Sequence, residues 1–396
     1  MAHIAFFTPA SSGHINPTLG VAAELLRRGH RVTYATTDDY AERVAEVSTR
    51  IVRYEEKHAG DFRSFKFTGR SLIDAMSASL AETAGLYPEL RDAFAGDRPD
   101  LVVHDNGAWW GRLLAEHWGT PSVQVCPMLV SNDSWSISDR YTRFSAFSPR
   151  LWTFFVRLSK TLRDLGSSIP PKDLLSGAGK DSLVFIPRAF QYSGDTFDDS
   201  YHFVGPCLHP RRFLGTWQRP ADLEGPLVLV TLGTIYNQRP EFFRTCAEAC
   251  GGLGGRVVIA VGDGVDPAGL GALPPDVEVH RYVAQLDVLA HADLFITHAG
   301  MGSTMEALHH GVPMLAVPQM AEEQANADRI AELGIGRTLD PAGLTVDTLR
   351  EAVRDLLADD TVLRRARALR DETRAAGGAP AAADRIEARL RDGAAV

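Results

Sequence analysis

Apolar residues in the first half of the chain fall into short runs separated by stretches of helical period. His3–Thr8, Arg31–Ala35, Arg50–Tyr54, Asp100–His104 and Ser122–Cys126 predict strands. Between them, Pro17–Arg28 places Leu19, Ala22, Ala23 and Leu26 on one face and ends at Gly29, so it predicts an amphipathic helix with Pro17 as its first residue. Asp38-Asp39 starts another helix, and Trp109–Trp118 a third. Such alternation implies a parallel sheet covered on both faces. The stretch up to Ala95 reads as irregular and helical, residues 129–170 are aromatic-rich and poorly periodic, and Asp181–Pro187 and Tyr201–Phe203 complete the array as strands.

A second array follows a Pro- and Gly-rich stretch. Its strands are Leu227–Thr231, Arg256–Val261, Val277–Arg281, Leu294–Thr297 and Met314–Val317, with helices between them and more helix from Thr345 to Arg374. The expected fold is α/β: two Rossmann-like, doubly wound parallel sheets facing across a cleft, at residues 1–205 and 227–378. A linker covers 206–226, and a last helix lies in 379–396.

Composition narrows the class. Of 396 residues, 45% are apolar and 23% charged, as in an ordinary globular protein. A net charge of −9 without a basic block excludes a nucleic-acid partner. The chain opens on a strand rather than a signal peptide, and no apolar run approaches the ~18 residues of a membrane span. Cys126, Cys207, Cys246 and Cys250 form no C-x-x-C pair and read as reduced thiols. A cytoplasmic monomer or homodimer is expected.

The densest chemical signal is His298-Ala-Gly300-Met-Gly302-Ser303-Thr304-Met-Glu306, a Gly-rich turn between a strand and a helix. Backbone N–H groups at a helix start have no intrahelical partner, and the dipole adds positive potential, so a phosphate binds there. Ser303 and Thr304 can add hydroxyl donors, and Glu306, in the first turn, can accept from a ribose. His298 plus those N–H groups can neutralise a diphosphate without a metal, and the chain contains no Asp-x-Asp triplet. In the first half, Ser11-Ser12-Gly-His14-Ile-Asn16-Pro17 follows one strand and Asp105 ends another. Residues beyond the carboxyl ends of such strands share one edge. His14 with Asp105 fits a general base aligned by a carboxylate, or a turn-packing His with Asp105 capping the next helix. Trp109, Trp110, Trp135 and Phe144, with Ser12 and Asn16, can line an apolar acceptor pocket, although most of the aromatics fit a core equally well.

Arg281-Tyr282-Val283-Ala284-Gln285-Leu-Asp-Val-Leu289 lies upstream of the Gly-rich turn, and Pro313–Gln319 with Glu322-Glu323-Gln324-Ala-Asn-Ala327 lies downstream. This block resembles the donor signature of the bacterial macrolide glycosyltransferases, relatives of the UDP-glycosyltransferases. The likeness spans nearly the whole chain. It implies that His14 in Gly-His-x-Asn-Pro is the catalytic base and Asp105 its partner. It also implies that Thr231 and Thr234 touch the phosphates, Tyr282 stacks on the base, and Val283 and Gln285 border the nucleoside. Glu323-Gln324 would bind sugar hydroxyls, and the last helix would cross back to the first domain. Tyr282, Ala284 and Glu323 replace a usual Trp, Pro and Asp, which bears on base and sugar selectivity.

The activity so implied is inverting, metal-independent transfer, without a cofactor, from a nucleotide sugar to a hydroxyl of an apolar acceptor such as a macrolide or other polyketide aglycone. A UDP-hexose such as UDP-glucose is favoured, and a dTDP-deoxysugar is the alternative. An epimerase would not need the aromatic segment. A nicotinamide dehydrogenase would need a third Gly where Met305 stands. A silent nucleotide-sugar binder would have no use for His14 and Asp105. Transfer to a lipid-linked precursor is disfavoured by the acidic balance.

Overall fold

The computed structural model describes residues 1–57, 69–141, 148–175 and 181–393. They form two compact units, Met1–His209 with Ala376–Val396, and Pro210–Ala375. The first contains strands β1 (His3–Phe7), β2 (Arg31–Thr36), β3 (Arg50–Arg53), β4 (Leu101–Asp105), β5 (Ser122–Cys126), β6 (Ser182–Val184) and β7 (Tyr201–Phe203). They pair in the order β3-β2-β1-β4-β5-β6-β7, all parallel. β1 and β4 are buried at every position, as expected of strands covered on both faces.

The second unit contains β8 (Leu227–Thr231), β9 (Arg256–Ala260), β10 (Val277–His280), β11 (Leu294–Thr297), β12 (Met314–Ala316) and β13 (Gly336–Thr338). Their order is β10-β9-β8-β11-β12-β13, again all parallel. Each sheet therefore winds outward in both directions from a central pair, β1/β4 or β8/β11. The α/β class with two doubly wound parallel sheets is as the sequence predicts.

Several local expectations need correction. The first helix spans Ser12–Arg27, not Pro17–Arg28, so Pro17 lies inside it. Proline lacks the N–H that would bond the Gly13 carbonyl, but Gly13 is exposed and water can serve that oxygen. The aromatic-rich stretch contains a regular helix, Pro149–Asp164, with Phe154, Leu158 and Leu162 buried along one stripe. β13 was not anticipated; it is short and carries two polar residues. Residues 206–226 are divided between the units, and Trp217 fastens their later part to the second unit through bonds to Asp287 (3.0 Å) and Glu278 (3.1 Å).

The helix Gly378–Gly393 packs in the first unit although it follows the second in sequence. Ala382, Ala383 and Ile386 are fully buried in one cluster with Phe6, Leu19, Val32 and Val103. Arg28 reaches Asp384 at 2.6 Å and Glu387 at 3.0 Å along its edge. Among the described residues, no helix is long and apolar enough to cross a membrane.

Because Ile386 fills the space beneath the first sheet, Ile386→Ala should cost about 2–5 kcal/mol. Hydrogen exchange should quicken in β1 and β4 and stay unchanged in β8 and β11. Unchanged exchange in β1 would mean that the last helix is not part of that core.

Candidate active site

In the first unit, parallel pairing sets Phe7 beside His104. The helix after β1 and the end of β4 therefore meet at one crevice. His14 stands in the first turn of its helix, and its Nδ1 donates to Asp105 Oδ2 at 2.8 Å. The Asp105 side chain is fully buried, and the His14 side chain is 23% exposed. Asp105 Oδ1 accepts from the Gly107 N–H at 2.7 Å. Asp105 thus orients the ring rather than capping Trp109–Trp118, whose N-cap is Ala108. With Nδ1 committed, the imidazole can take a proton only at Nε2.

The aromatic candidates divide. Trp109 and Trp110 belong to the core, with Trp110 edge-on to Tyr54, because the first turn of their helix faces the sheet. Trp135 is buried and stacked on Tyr192 at 5.0 Å. The buried indole nitrogens of Trp110 and Trp135 meet no hydrogen-bond acceptor among the described residues. The Ser12 hydroxyl accepts from Arg43 at 2.8 Å, and Asn16 Oδ1 is buried without a described donor. Phe144 lies outside the described residues.

The second unit repeats the arrangement. Thr297 pairs with Thr231 across β11 and β8. The Thr231 hydroxyl accepts from the Gly233 N–H at 3.1 Å, and Thr234 is exposed beside it. His298 follows β11 and is half-buried. A Cβ at Gly233 would lie 2.7 Å from its ring, and one at Gly300 would collide with Nε2. Burial lowers the His298 pKa to about 4, so the ring is neutral at pH 7. A neutral ring can still donate a hydrogen bond to an anion. Ala299 has φ +65°, a strained conformation for a residue with a Cβ. It is held by its N–H to Thr297 Oγ1 (3.1 Å) and by Asn326 Nδ2 on its carbonyl (2.9 Å). Asn326 lies within the quoted Glu322–Ala327 motif, but sequence alone gave it no role.

Gly300 caps the helix Met301–His310. The Thr304 N–H makes the bond to the Gly300 carbonyl, so the N–H groups of Met301, Gly302 and Ser303 have no intrahelical acceptor. Thr304 is fully buried and its hydroxyl has no described partner. Glu306 is in the second turn, not the first, because the helix begins at Met301. Its carboxylate is held by Arg211 (2.6 Å) and by Gln285 Nε2 (2.7 Å), which also reaches Ser303 Oγ (3.3 Å). Val283 is buried. Tyr282 lies beyond the end of β10, 42% exposed, with its hydroxyl on Asp263.

Glu323 is 3% exposed, and its Oε2 accepts from the Gln319 N–H (2.7 Å) and the Met320 N–H (3.1 Å), capping the helix Ala321–Glu332. Gln324 donates to Asp328 at 2.7 Å. Both members of the pair therefore already have protein partners.

The architecture is thus two doubly wound Rossmann-like sheets, one with a part-exposed imidazole on a buried carboxylate and the other with an anion-ready helix start. The profile described as "Erythromycin biosynthesis protein CIII-like, C-terminal domain" matches residues 245–388. The demethyllactenocin mycarosyltransferase of Streptomyces fradiae is 42% identical, over 98% of this chain and 87% of its own length. The oleandomycin glycosyltransferase of Streptomyces antibioticus is 41% identical, over 98% of this chain and 91% of its own. The solved glycotransferase of kitacinnamycin superposes with a TM-score of 0.85 at 38% identity, covering 98% of this chain and 99% of that one. The chain belongs to the bacterial macrolide glycosyltransferase family, whose members are inverting and metal-independent and draw on nucleotide sugars.

Burial raises the Glu323 pKa from 4.5 to about 7. The folded protein keeps this proton up to about pH 7, whereas an unfolded chain releases it near 4.5. Stability from this group is therefore present below pH 4.5 and lost as the pH rises to about 7, by about 3 kcal/mol in all. Glu323→Gln should gain melting temperature relative to wild type between pH 5 and 8. A difference that stays flat over that range would show that the carboxyl is ionised throughout.

Proposed function

We propose that His14 is the general base of an inverting glycosyl transfer and that Asp105 orients it. The single observation that carries this reading is the 2.8 Å bond from a part-exposed imidazole to a buried carboxylate at the β1/β4 crevice. Asp105 holds the Nδ1 proton and stabilises the imidazolium, and Nε2 removes the proton from an acceptor hydroxyl. The resulting oxygen attacks the anomeric carbon, the nucleoside diphosphate leaves, and an α-linked donor yields a β-glycoside. The acceptor is an apolar natural product such as a macrolide or other polyketide aglycone, supported by the relatives' names.

The second unit binds the donor. The N–H groups of Met301, Gly302 and Ser303, neutral His298, Thr231 and Thr234 face the diphosphate. Glu306 with Gln285 takes the ribose diol, Tyr282 and Val283 border the base, and Glu323-Gln324 reads the sugar. A ribose-reading carboxylate favours a UDP-hexose such as UDP-glucose. The likeness to a mycarosyltransferase supports a second reading, a dTDP-deoxysugar donor.

His14→Ala should lower transfer about 10²–10⁴-fold while UDP binding by calorimetry stays within two-fold or so. Asp105→Asn should also slow transfer. Near-wild-type turnover by His14→Ala would refute the assignment of the base. For the donor, kcat/KM with one accepted aglycone should favour UDP-glucose over a dTDP-deoxysugar by roughly five- to hundred-fold, the cost of one unpaired buried polar group. A better deoxysugar would install the second reading.

A further inference from the structure

The second unit begins at Pro210, and the next residue is already engaged in its interior. Arg211 Nη2 donates to Glu306 Oε1 at 2.6 Å, with the two side chains 12% and 9% exposed. The other oxygen of Glu306 accepts from Gln285. Arg211 and Gln285 both line a cavity of about 180 Å³, together with Leu214, Gly215 and Ala284. Trp217 pins the far end of this segment through Asp287 and Glu278, so Arg211 approaches Glu306 from a fixed backbone.

A carboxylate with so little exposure needs a countercharge, and a charged hydrogen bond also fixes where its oxygens point. Two carboxylate oxygens offer about four acceptor sites. Each oxygen of Glu306 can therefore keep its present donor and still accept a hydroxyl. We propose that Arg211 is a positioning residue for the nucleoside. By holding Oε1 it aligns Glu306 to receive both hydroxyls of a ribose, and so sets the preference for ribonucleotide over 2′-deoxyribonucleotide donors. This rests on the reading of Glu306 as the ribose acceptor.

The test is calorimetric titration of the whole chain with UDP and with 2′-deoxy-UDP. Wild type should bind UDP more tightly. Arg211→Gln should weaken UDP binding about ten-fold and bring the UDP to 2′-deoxy-UDP affinity ratio close to one. A general loosening of the fold would weaken both ligands alike and leave the ratio intact, and that result overturns the proposal. Arg211→Lys keeps the charge but not the planar fork, so its ratio should fall part-way. A wild-type ratio in the Lys variant overturns the proposal even if the Gln variant does not fold. Glu306→Gln separates the two ideas. If it leaves the ratio unchanged, the ribose reading fails and this inference with it. If it abolishes the ratio while Arg211→Gln preserves it, only the role of Arg211 fails.

Discussion

Each unit depends on one register, the parallel pairing at the centre of its sheet. Phe7 beside His104 brings the turn after β1 against the end of β4, and Thr231 beside Thr297 does the same for β8 and β11. In a doubly wound sheet these central pairs are where the winding reverses and where a crevice opens at the carboxyl edge. His14 and Asp105 occupy the first crevice, and Thr231, Gly233 and His298 the second. A slip of one residue in either pairing would turn the strand's side chains to the opposite face and separate the groups.

Burial then sets the chemistry of each crevice. Asp105 has Oδ2 on His14 and Oδ1 on the Gly107 N–H, so its carboxylate is satisfied and fixed. His298 is packed between two positions that only glycine fits, and desolvation keeps it neutral. The strain at Ala299 is balanced by Thr297 and Asn326, which fix the turn ahead of the free N–H groups. Preorganised donors of this kind can stabilise an anion through geometry rather than through a side-chain cation.

The strands were legible because their apolar runs are continuous, and β1, β4, β8 and β11 are found within a residue of the bounds read from sequence. Pro17 resembles a helix start in sequence, yet the helix runs through it from Ser12, with Gly13 exposed one turn earlier. The Gly-rich sequence suggests a turn that extends past Gly302, whereas Gly302 is the second helical residue and Glu306 falls in the second turn. The pairing of His14 with Asp105 follows from strand topology and could be expected. Its counterpart, Arg211 on Glu306, joins residues 95 apart through an irregular segment, and no periodicity carries such a contact. Likewise, nothing in Glu323-Gln324 announces that the carboxylate caps its own helix.

The central claim is a division of labour, with the donor nucleotide held at β8/β11 and the base at β1/β4. Hydrogen exchange in the presence and absence of saturating UDP tests it most directly. The account predicts added protection in residues 231–238 and 297–306, with residues 11–18 and 105–107 unchanged. Protection confined to the turn around His14, with none at 297–306, would contradict it.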